Sequence, residues 1–409
     1  MNAQLHAGVG WVLNVAAFFC AAAEPLPRPE IVLGMSTVLT GPAANLGNDM
    51  REGVLAGFER ANRAGGVHGR RLRLIVRDDG YEPARTAPNM RELIGKENVL
   101  AIIGNVGTPT AIVAIPITNE TKTLLYAAFS GAGVLRKTPP DRYVINYRAS
   151  YAEEISAMID ALTDVAGLKP EDIAFFTQRD AYGDAGFDGG VAALKRHGLK
   201  DEKRVPHVRY ERNTLAVENA LASLLFAEHE PRAVIMVGAY APCAKFISLA
   251  NDADIHPLFL NVSFVGSQSL ASELGKLSVS GQRAVPVIVT QVVPHPTQSH
   301  LPLVAEYVSD LKALRNDANP GFGSLEGYIS ARILINALER IADTPTRESL
   351  IDAFEGMGSF EMGLDGPLNF SPKDHEASHH VWPTILKDGV FVPFEWKDTA
   401  GLPAKERSP

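Results

Sequence analysis

Apolar runs alternate with amphipathic stretches along most of this 409-residue chain. The short apolar runs have the composition of buried parallel strands, and the stretches between them repeat apolar residues at helical spacing. The segment 100–103 is such a run, and Gly104 and Gly107 interrupt it before a stretch that begins Thr108-Pro109. This pattern predicts a strand, a glycine turn and a helix, with Thr108 as the N-cap and Pro109 in the first helical turn.

The alternation predicts parallel sheets with helices on both faces, an α/β fold. Up to residue 128 the predicted order is βαβαβαβ, and after residue 143 the rhythm starts again, so we expect two doubly wound units in tandem. The predicted strands are 31–35, 71–78, 100–103, 124–128, 143–146, 173–177, 233–237, 258–262 and 285–293, with a strand-like tail at 368–394. The predicted helices are 48–64, 84–96, 109–120, 153–166, 186–197, 217–228, 242–252, 303–315, 325–341 and 347–354.

Composition supports a globular protein with more than one core. The chain is 46% hydrophobic and 21% charged, and its length favours two lobes over a single compact unit. The formal net charge is −8, with both signs mixed along the chain and no basic stripe. We therefore expect no nucleic-acid partner.

The N-terminus has the features of a secretory signal peptide. Residues 9–23 read VGWVLNVAAFFCAAA, an apolar run that ends in an A-x-A cleavage pattern. Cleavage after Ala23 predicts an exported, periplasmic protein in which Cys243 is the remaining cysteine and no internal disulfide forms. The first eight residues carry no Lys or Arg, which leaves a cytoplasmic location open. Lipid attachment at Cys20 is also left open.

Five stretches in order resemble the type I periplasmic solute-binding proteins of the leucine/isoleucine/valine-binding family, which serve ATP-driven importers. They are TGPAANLGNDMREGVLAGFERANRAGGVHGRRLRLIVRDDGYEP at 40–83, AFSGAGVLR at 128–136, DAYGDAGFDGGVAALKRHGL at 180–199, NVSFVGS at 261–267 and SLEGYISARILINAL at 324–338. The resemblance implies a Venus-flytrap fold of two lobes joined by three crossings. Lobe 1 would be 28–147 plus 292–367, and lobe 2 would be 148–291 plus 368–398.

The resemblance also implies a ligand in the cleft between the lobes and an importer permease in the inner membrane as partner. Thr108 matches the hydroxyl that binds the ligand carboxylate, beside backbone N–H groups and the positive end of a helix dipole. Phe129, Ser130 and Gly131 match a second binding turn, where Ser130 can supply a hydroxyl.

The other wall of the cleft would come from lobe 2. Tyr182 and Tyr240 match ligand-contacting tyrosines, which combine apolar area with a polar tip. Ser263 and Phe264 stand where the aliphatic amino-acid binders carry the glutamate that holds the ligand ammonium, and Leu46 stands where they carry a tyrosine in the first loop.

The absence of that glutamate leaves two alternatives, because a buried ammonium without an anion is costly. Either another acid supplies the charge, with Asp180, Asp184 and Glu326 as candidates, or the ligand has no ammonium group. The ligand class stays open between amino acid, amide, and aromatic or aliphatic acid. The two positions of a disulfide found in some relatives hold Tyr81 and Gly107.

Residues 375–379 read HEASH and match the H-E-x-x-H zinc signature. That chemistry needs a helix, and Pro372 on one side and Pro383 on the other argue against one here. We therefore expect a solvated loop, no metal, no cofactor and no enzyme activity. The alternative to an exported binding protein is a cytoplasmic regulator that uses the same two-lobed sensor, as some amide-sensing relatives do.

Overall fold

In the computed structural model of the protein, the described residues are 28–277 and 286–402. The predicted signal peptide at 1–23 lies outside them. None of the helices in the described ranges is long and apolar enough to cross a membrane. The first part of the chain forms β1 (Ile31–Thr37), α1 (Ala44–Arg63), β2 (Leu72–Asp78), α2 (Pro83–Gly95), β3 (Ala101–Ile103), α3 (Thr108–Thr121), β4 (Leu124–Tyr126) and β5 (Val144–Ile145).

These strands form a parallel sheet in the order β2-β1-β3-β4-β5, which we call the first sheet. Its central strands are buried on both faces, as the uninterrupted apolar runs predict. The order places the carboxyl ends of β3 and β4 side by side. The turns that follow these two strands carry the first group of predicted site residues.

The second part of the chain builds a larger sheet, which we call the second sheet. Its order is β14-β13-β10-β9-β8-β6-β7, and β13 and β14 are the antiparallel members. Its elements up to the third strand are α4 (Tyr151–Asp160), β6 (Ile173–Gln178), α5 (Ala181–Arg196), β7 (His207–Tyr210), α6 (Glu218–Leu225) and β8 (Ala233–Val237). The remaining ones are α7 (Tyr240–Asp252), β9 (Leu258–Asn261), α8 (Ser267–Leu277), β10 (Val287–Gln291), β13 (Trp382–Lys387) and β14 (Val390–Pro393).

Between β10 and β13 the chain returns to the first sheet's helices. It forms α9 (Pro302–Leu314), α10 (Phe322–Glu339), α11 (Arg347–Glu355) and the small hairpin of β11 (Gly358–Phe360) and β12 (Leu368–Phe370). Helix α10 packs against α1 at very short range, since a Cβ on Gly53 would lie 1.8 Å from the Ser324 carbonyl oxygen. Buried Asp310 on α9 joins this group by accepting from Arg63 at 2.7 Å and from the Tyr328 hydroxyl at 2.7 Å.

The prediction of a doubly wound α/β fold with parallel sheets is confirmed, and the chain passes between the sheets after β5, after β10 and before β13. Backbone hydrogen bonds from Asn146 N–H to the His375 carbonyl (2.7 Å) and from Ala377 N–H to the Asn146 carbonyl (3.1 Å) tie two of these passages together. The lobe boundaries at 147, 291 and 367 stay a prediction.

The element predictions missed β7, α8 and the three-residue strand β11, none of which was expected. Strand β7 is only four residues long, HVRY, and it lies at the sheet edge. Helix α8, SQSLASELGKL, has just Ser267, Leu270 and Ala271 buried, so its apolar signal is sparse. Helix α5 also starts earlier than predicted, because Asp180 accepts a capping bond from Tyr182 N–H at 3.0 Å.

Candidate functional site

The glycine turn after β3 brings α3 to the edge of the first sheet. Gly104 and Gly107 have φ of +70° and +101°, a region that favours glycine. The prediction that Thr108 is the N-cap was wrong: Gly107 is the N-cap, and Thr108 is the first helical residue, without a side-chain capping bond. The Thr108 hydroxyl is therefore free for another partner, and its oxygen lies 2.8 Å from that of Ser130.

The turn after β4 lies beside the first one. Phe129 N–H donates to the Asn105 carbonyl at 2.7 Å, and Gly107 N–H donates to the Phe129 carbonyl at 3.2 Å. Gly131 accepts from Tyr151 N–H at 2.8 Å, and a Cβ at Gly131 would lie 2.6 Å from a ring carbon of Tyr151. The structure thus brings the turn residues next to the start of α4.

Aromatic side chains from both sheets meet at these turns. The ring centroid of Phe264 lies 4.5 Å from that of Tyr182, 5.6 Å from that of Phe129 and 6.0 Å from that of Tyr81. The Tyr182 ring also lies 5.2 Å from that of Tyr151. All five side chains are buried. Of these rings, Tyr81 and Phe129 follow strands of the first sheet, and Tyr182 and Phe264 follow strands of the second.

Tyr240 is on another side of this region. It is the first residue of α7 and is buried, and both its ring and the Leu46 side chain of α1 lie near Gly266, where a Cβ would be 3.5 Å and 2.6 Å from them. Leu46 and Tyr240 therefore approach each other from α1 and α7. The ligand-contact role of the residues at 108, 129–131, 182, 240, 263 and 264 stays a prediction.

A narrow crevice beside the aromatic cluster is lined by charged and polar side chains that the sequence did not group. It has room for about one water molecule. Three of the side chains lining it are charged: Asp49 on α1, Arg148 just after β5, and Glu326 on α10. Its other lining residues are Leu46, Phe129, Ser263, Gly266, Ser267, Gln268, Gln291, Val292, Val293, Phe322 and Gly323.

Arg148 is the most deeply buried of these charges. Its side chain is 1% exposed, its Nε lies 3.3 Å from a carboxylate oxygen of Glu326, and its Nη2 donates to the Ser263 hydroxyl. The guanidinium carbon lies 4.5 Å from the ring centroid of Phe129, a cation–π contact. Arg148 therefore covers one face of the ring that was predicted to contact the ligand.

Glu154 on α4 also belongs to this network, because it binds Ser263. Its carboxylate accepts from Ser263 N–H at 2.7 Å, from the Ser263 hydroxyl at 3.0 Å and from the Thr290 hydroxyl at 2.6 Å. Burial raises the pKa of Glu154, and the positive charge of Arg148 opposes the shift. Burial likewise raises the pKa of Glu326 to about 7, again against the effect of Arg148.

The structure separates the three acids that were candidates for an ammonium partner. Asp180 pairs with Arg212 at 3.0 Å and Asp184 pairs with Arg209 at 2.5 Å, and neither lines the crevice. Glu326 does line it. The sequence reasoning missed Arg148 and Glu154. The one available signal was a charged residue two positions after the predicted strand 143–146, where the chain leaves the first sheet.

The H-E-x-x-H segment lies in a non-helical stretch, but the prediction of a solvated loop was wrong for His375, Ala377 and Ser378, which are buried where this stretch packs beside β5. His375 is buried, with its Nδ1 2.8 Å from the Val144 carbonyl and its Nε2 3.2 Å from Glu355. Glu376 pairs with Arg136 at 2.6 Å, and His379 pairs with Glu153 at 2.7 Å. Glu153, Glu376 and His379 place potential metal-ligand atoms within 4.8 Å of one another, but ion pairing already accounts for their proximity.

We expect His379 to make a small pH-dependent contribution to stability. Its hydrogen bond to Glu153 raises its pKa to about 9, so the stabilisation is fully present below the ordinary value of 6.5 and is lost as the pH rises through 9. Because the side chain is 53% exposed, solvent screening limits the effect to less than about 1 kcal/mol. Urea unfolding at pH 6.5 and 9.5 measures it.

The variant H379Q should lose this pH dependence, whereas H380Q should keep it, since the ring of His380 stacks on Trp382 instead. Equal pH dependence in H379Q and the unmodified protein would contradict the assignment.

Comparisons with known proteins agree with the fold. The sequence pattern of the family described as "Periplasmic binding protein" matches residues 30–389. The "Leu/Ile/Val-binding protein homolog 7" of Brucella suis biovar 1 (strain 1330) is 26% identical over 80% of this chain and 81% of its own length. Homolog 3 of Brucella melitensis biotype 1 is 23% identical over 97% of this chain and 98% of its own.

Solved structures give the same result. A possible leucine/isoleucine/valine-binding protein from Rhodopirellula baltica SH 1 is 48% identical, with a TM-score of 0.87 over 92% of this chain and 99% of that chain. At 14% identity, the branched-chain amino acid transporter substrate-binding protein LivJ from Streptococcus pneumoniae, solved with isoleucine, shares the fold, with a TM-score of 0.74 over 88% of this chain and 97% of that chain. The chain therefore belongs to the periplasmic binding protein family, as a type I member of its Leu/Ile/Val-binding branch, and has a solute-binding role.

Proposed function

We propose that the protein captures a small amino acid or related organic carboxylate between its two sheets and delivers it to the permease of an ABC importer. The observation that carries this proposal is the meeting of side chains from both sheets at one place. Thr108, Ser130 and Phe129 come from turns of the first sheet, and Tyr182 and Phe264 come from turns of the second. A ligand that contacts both groups stabilises the closed arrangement, which is how hinge closure is driven.

The proposed carboxylate site is the pair of hydroxyls on Thr108 and Ser130. Both side chains are buried, and in the described structure each hydroxyl has the other within 2.8 Å. A carboxylate offers acceptor sites for both hydroxyls and favours the N-terminal end of α3. The start of α3 also follows Gly107, whose positive φ turns the backbone into the helix, and the first N–H groups of a helix have no partner within it, which favours an anion there.

Thr108→Val and Ser130→Ala should each weaken ligand binding by roughly 5- to 30-fold, the effect of losing about 1–2 kcal/mol of hydrogen bonding. Calorimetric titration with the tightest ligand of the screen described below measures this. Thr118→Val is the matched control, because Thr118 is a buried threonine of the same helix whose hydroxyl donates to the Ile115 carbonyl at 2.9 Å. Unchanged affinity in both site variants would show that the carboxylate binds elsewhere.

A thermal-shift screen over amino acids, amides, and aromatic and aliphatic acids tests the proposed function. Binding to the folded state alone must raise the melting temperature, and the stabilisation grows with the logarithm of ligand concentration over Kd. We expect at least one of these solutes to do so. If no compound of any class shifts the transition, solute capture of this kind is wrong.

We propose a periplasmic location, with cleavage of the signal peptide after Ala23. The support is family membership and the apolar run at 9–23. The alternative, a cytoplasmic ligand-sensing regulator of the same fold, rests on the uncharged first eight residues. N-terminal sequencing of the protein from its native host separates the two: a start at Glu24 supports export, and an intact N-terminus supports the regulator.

A further inference from the structure

Arg148 is the cation among the crevice-lining side chains, and part of its guanidinium group has no partner. Its Nη2 donates to Ser263. Its Nε lies 3.3 Å from Glu326 without forming a hydrogen bond, and the buried Nη1 has no hydrogen-bond partner either. A buried donor that stays unpaired destabilises the structure, and a charged donor does so more strongly. An acceptor atom of a ligand in the crevice would remove this cost.

The surroundings of Arg148 hold its guanidinium group in place. Phe129 packs on one face of the group, and Ser263 and Glu326 engage two of its nitrogen atoms. The side chain is 1% exposed, and Arg148 is among the residues that line the crevice. A ligand atom in the crevice is therefore the acceptor that we consider for Nη1.

The acids around Arg148 are themselves deeply buried. Burial raises the pKa of Glu326, which makes its ionised form less favourable, and the charge of Arg148 opposes this shift. The carboxylate of Glu154, the second nearby acid, accepts hydrogen bonds from Ser263 and Thr290. Two like charges at close range repel more strongly in a buried site than in water, so an ammonium group is disfavoured beside Arg148.

The hydroxyl and the backbone N–H of Ser263 are already engaged within the protein. Its hydroxyl donates to Glu154 at 3.0 Å and accepts from Arg148, and its backbone N–H donates to Glu154 at 2.7 Å. In the relatives that bind aliphatic amino acids, the resemblance implies a ligand-binding glutamate at the position of Ser263. In this protein Ser263 instead links Glu154 to Arg148, whose Nη1 is an unpaired donor. Beside Arg148 the site therefore offers a hydrogen-bond donor, which fits an acceptor atom on the ligand.

We propose that the solute is an organic acid that carries a further oxygen acceptor and no ammonium group, with that oxygen bound by Arg148 Nη1. The 2-oxo acids are the class whose acceptor stands where an amino acid has its ammonium group. This inference rests on the proposed function, which assigns the ligand carboxylate to Thr108 and Ser130. Arg148 is then the residue that makes the site prefer an oxygen acceptor over an ammonium group.

Asp49 is the residue that would bind a ligand ammonium group if the inference is wrong. It also lines the crevice, and burial together with the nearby Glu52 raises its pKa to about 7, against the effect of Arg315. A zwitterionic amino acid could place its ammonium group on this carboxylate. The ligand comparison below separates the two outcomes.

Calorimetric titration at pH 7 with two matched sets of probes tests the inference. The sets are 4-methyl-2-oxopentanoate, 4-methylpentanoate and L-leucine, and phenylpyruvate, 3-phenylpropionate and L-phenylalanine. In at least one set we expect the oxo acid to bind about 10-fold more tightly than the plain acid and about 100-fold more tightly than the amino acid. A tightest ligand that bears an ammonium group, in these sets or in the wider screen, overturns the inference and leaves the proposed function intact.

Arg148→Lys tests the residue itself, because lysine keeps the charge but loses the planar fork and Nη1. We expect the preference for the oxo acid over the plain acid to fall from about 10-fold to about 2-fold, while plain-acid affinity changes less. Arg332→Lys is the control: this arginine pairs with Glu306 and does not line the crevice. The probe order in the unmodified protein gives an answer even if Arg148→Lys fails to fold, and an unchanged oxo preference in a folded Arg148→Lys protein contradicts the assignment.

Discussion

Replacing Gly53 with alanine is expected to destabilise the protein by about 3 kcal/mol, because a single methyl group there cannot be accommodated. The added Cβ would lie 1.8 Å from the Ser324 carbonyl oxygen and 2.7 Å from its carbonyl carbon, and both are backbone atoms that cannot rotate away. Helices α1 and α10 would have to separate. Urea unfolding followed by circular dichroism measures the change in the free energy of unfolding.

Gly95→Ala is the matched control. Gly95 is the last residue of α2, and a Cβ there would meet no atom within 4 Å. The same glycine-to-alanine change should stabilise the protein by about 0.5 kcal/mol, since alanine has less backbone freedom to lose on folding. If both variants unfold at the same urea concentration, the close approach of α1 and α10 is not present in solution.

The Gly53 substitution should also affect the site. Helix α1 carries Leu46 and Asp49, and α10 carries Phe322 and Glu326, and all four line the crevice. A displaced α10 would move Glu326 away from Arg148. We therefore expect the fraction of Gly53→Ala that remains folded to bind ligand more weakly.

Glu154→Ala is expected to cost about 3–5 kcal/mol, the effect of breaking one side of a buried charged network. The substitution removes the acceptor of the Ser263 N–H, the Ser263 hydroxyl and the Thr290 hydroxyl, and it takes a negative charge from the surroundings of Arg148. Glu154→Gln should lose less, because an amide oxygen still accepts hydrogen bonds. Urea unfolding at pH 7 compares the two variants.

The neighbouring Glu153→Ala serves as the control for helix α4. Glu153 is only partly buried; it completes the capping box with Ser150 and pairs with His379. Its removal should cost about 1 kcal/mol. A loss in Glu154→Ala no greater than that in Glu153→Ala would show that the buried network contributes little to stability.

The strand and helix order of this fold follows directly from its sequence pattern, because buried parallel strands read as uninterrupted apolar runs. The turns after β3 and β4 were predictable for the same reason, since each follows such a run. The cap was not: both Gly107 and Thr108 fit the start of a helix, and only the left-handed φ of Gly107 shows which of them precedes it.

The charged part of the site could not be read from the chain. Arg148, Glu154 and Glu326 belong to a segment after β5, to α4 and to α10, and Glu326 is 178 positions beyond Arg148 by their residue numbers. Nothing in the local sequence indicates that a guanidinium group between them is buried with an unused N–H. Glu326 appeared among three acidic candidates, and only the tertiary packing separates it from Asp180 and Asp184, which pair with arginines elsewhere.

A crystal structure with the tightest ligand of the screen tests the central claim most directly. The account predicts that the solute lies between the two sheets, with its carboxylate on the Thr108 and Ser130 hydroxyls, its apolar part against Tyr182 and Phe264, and an oxygen on Arg148 Nη1. A solute bound outside this region, with the Thr108 hydroxyl still paired to Ser130 alone, would contradict it.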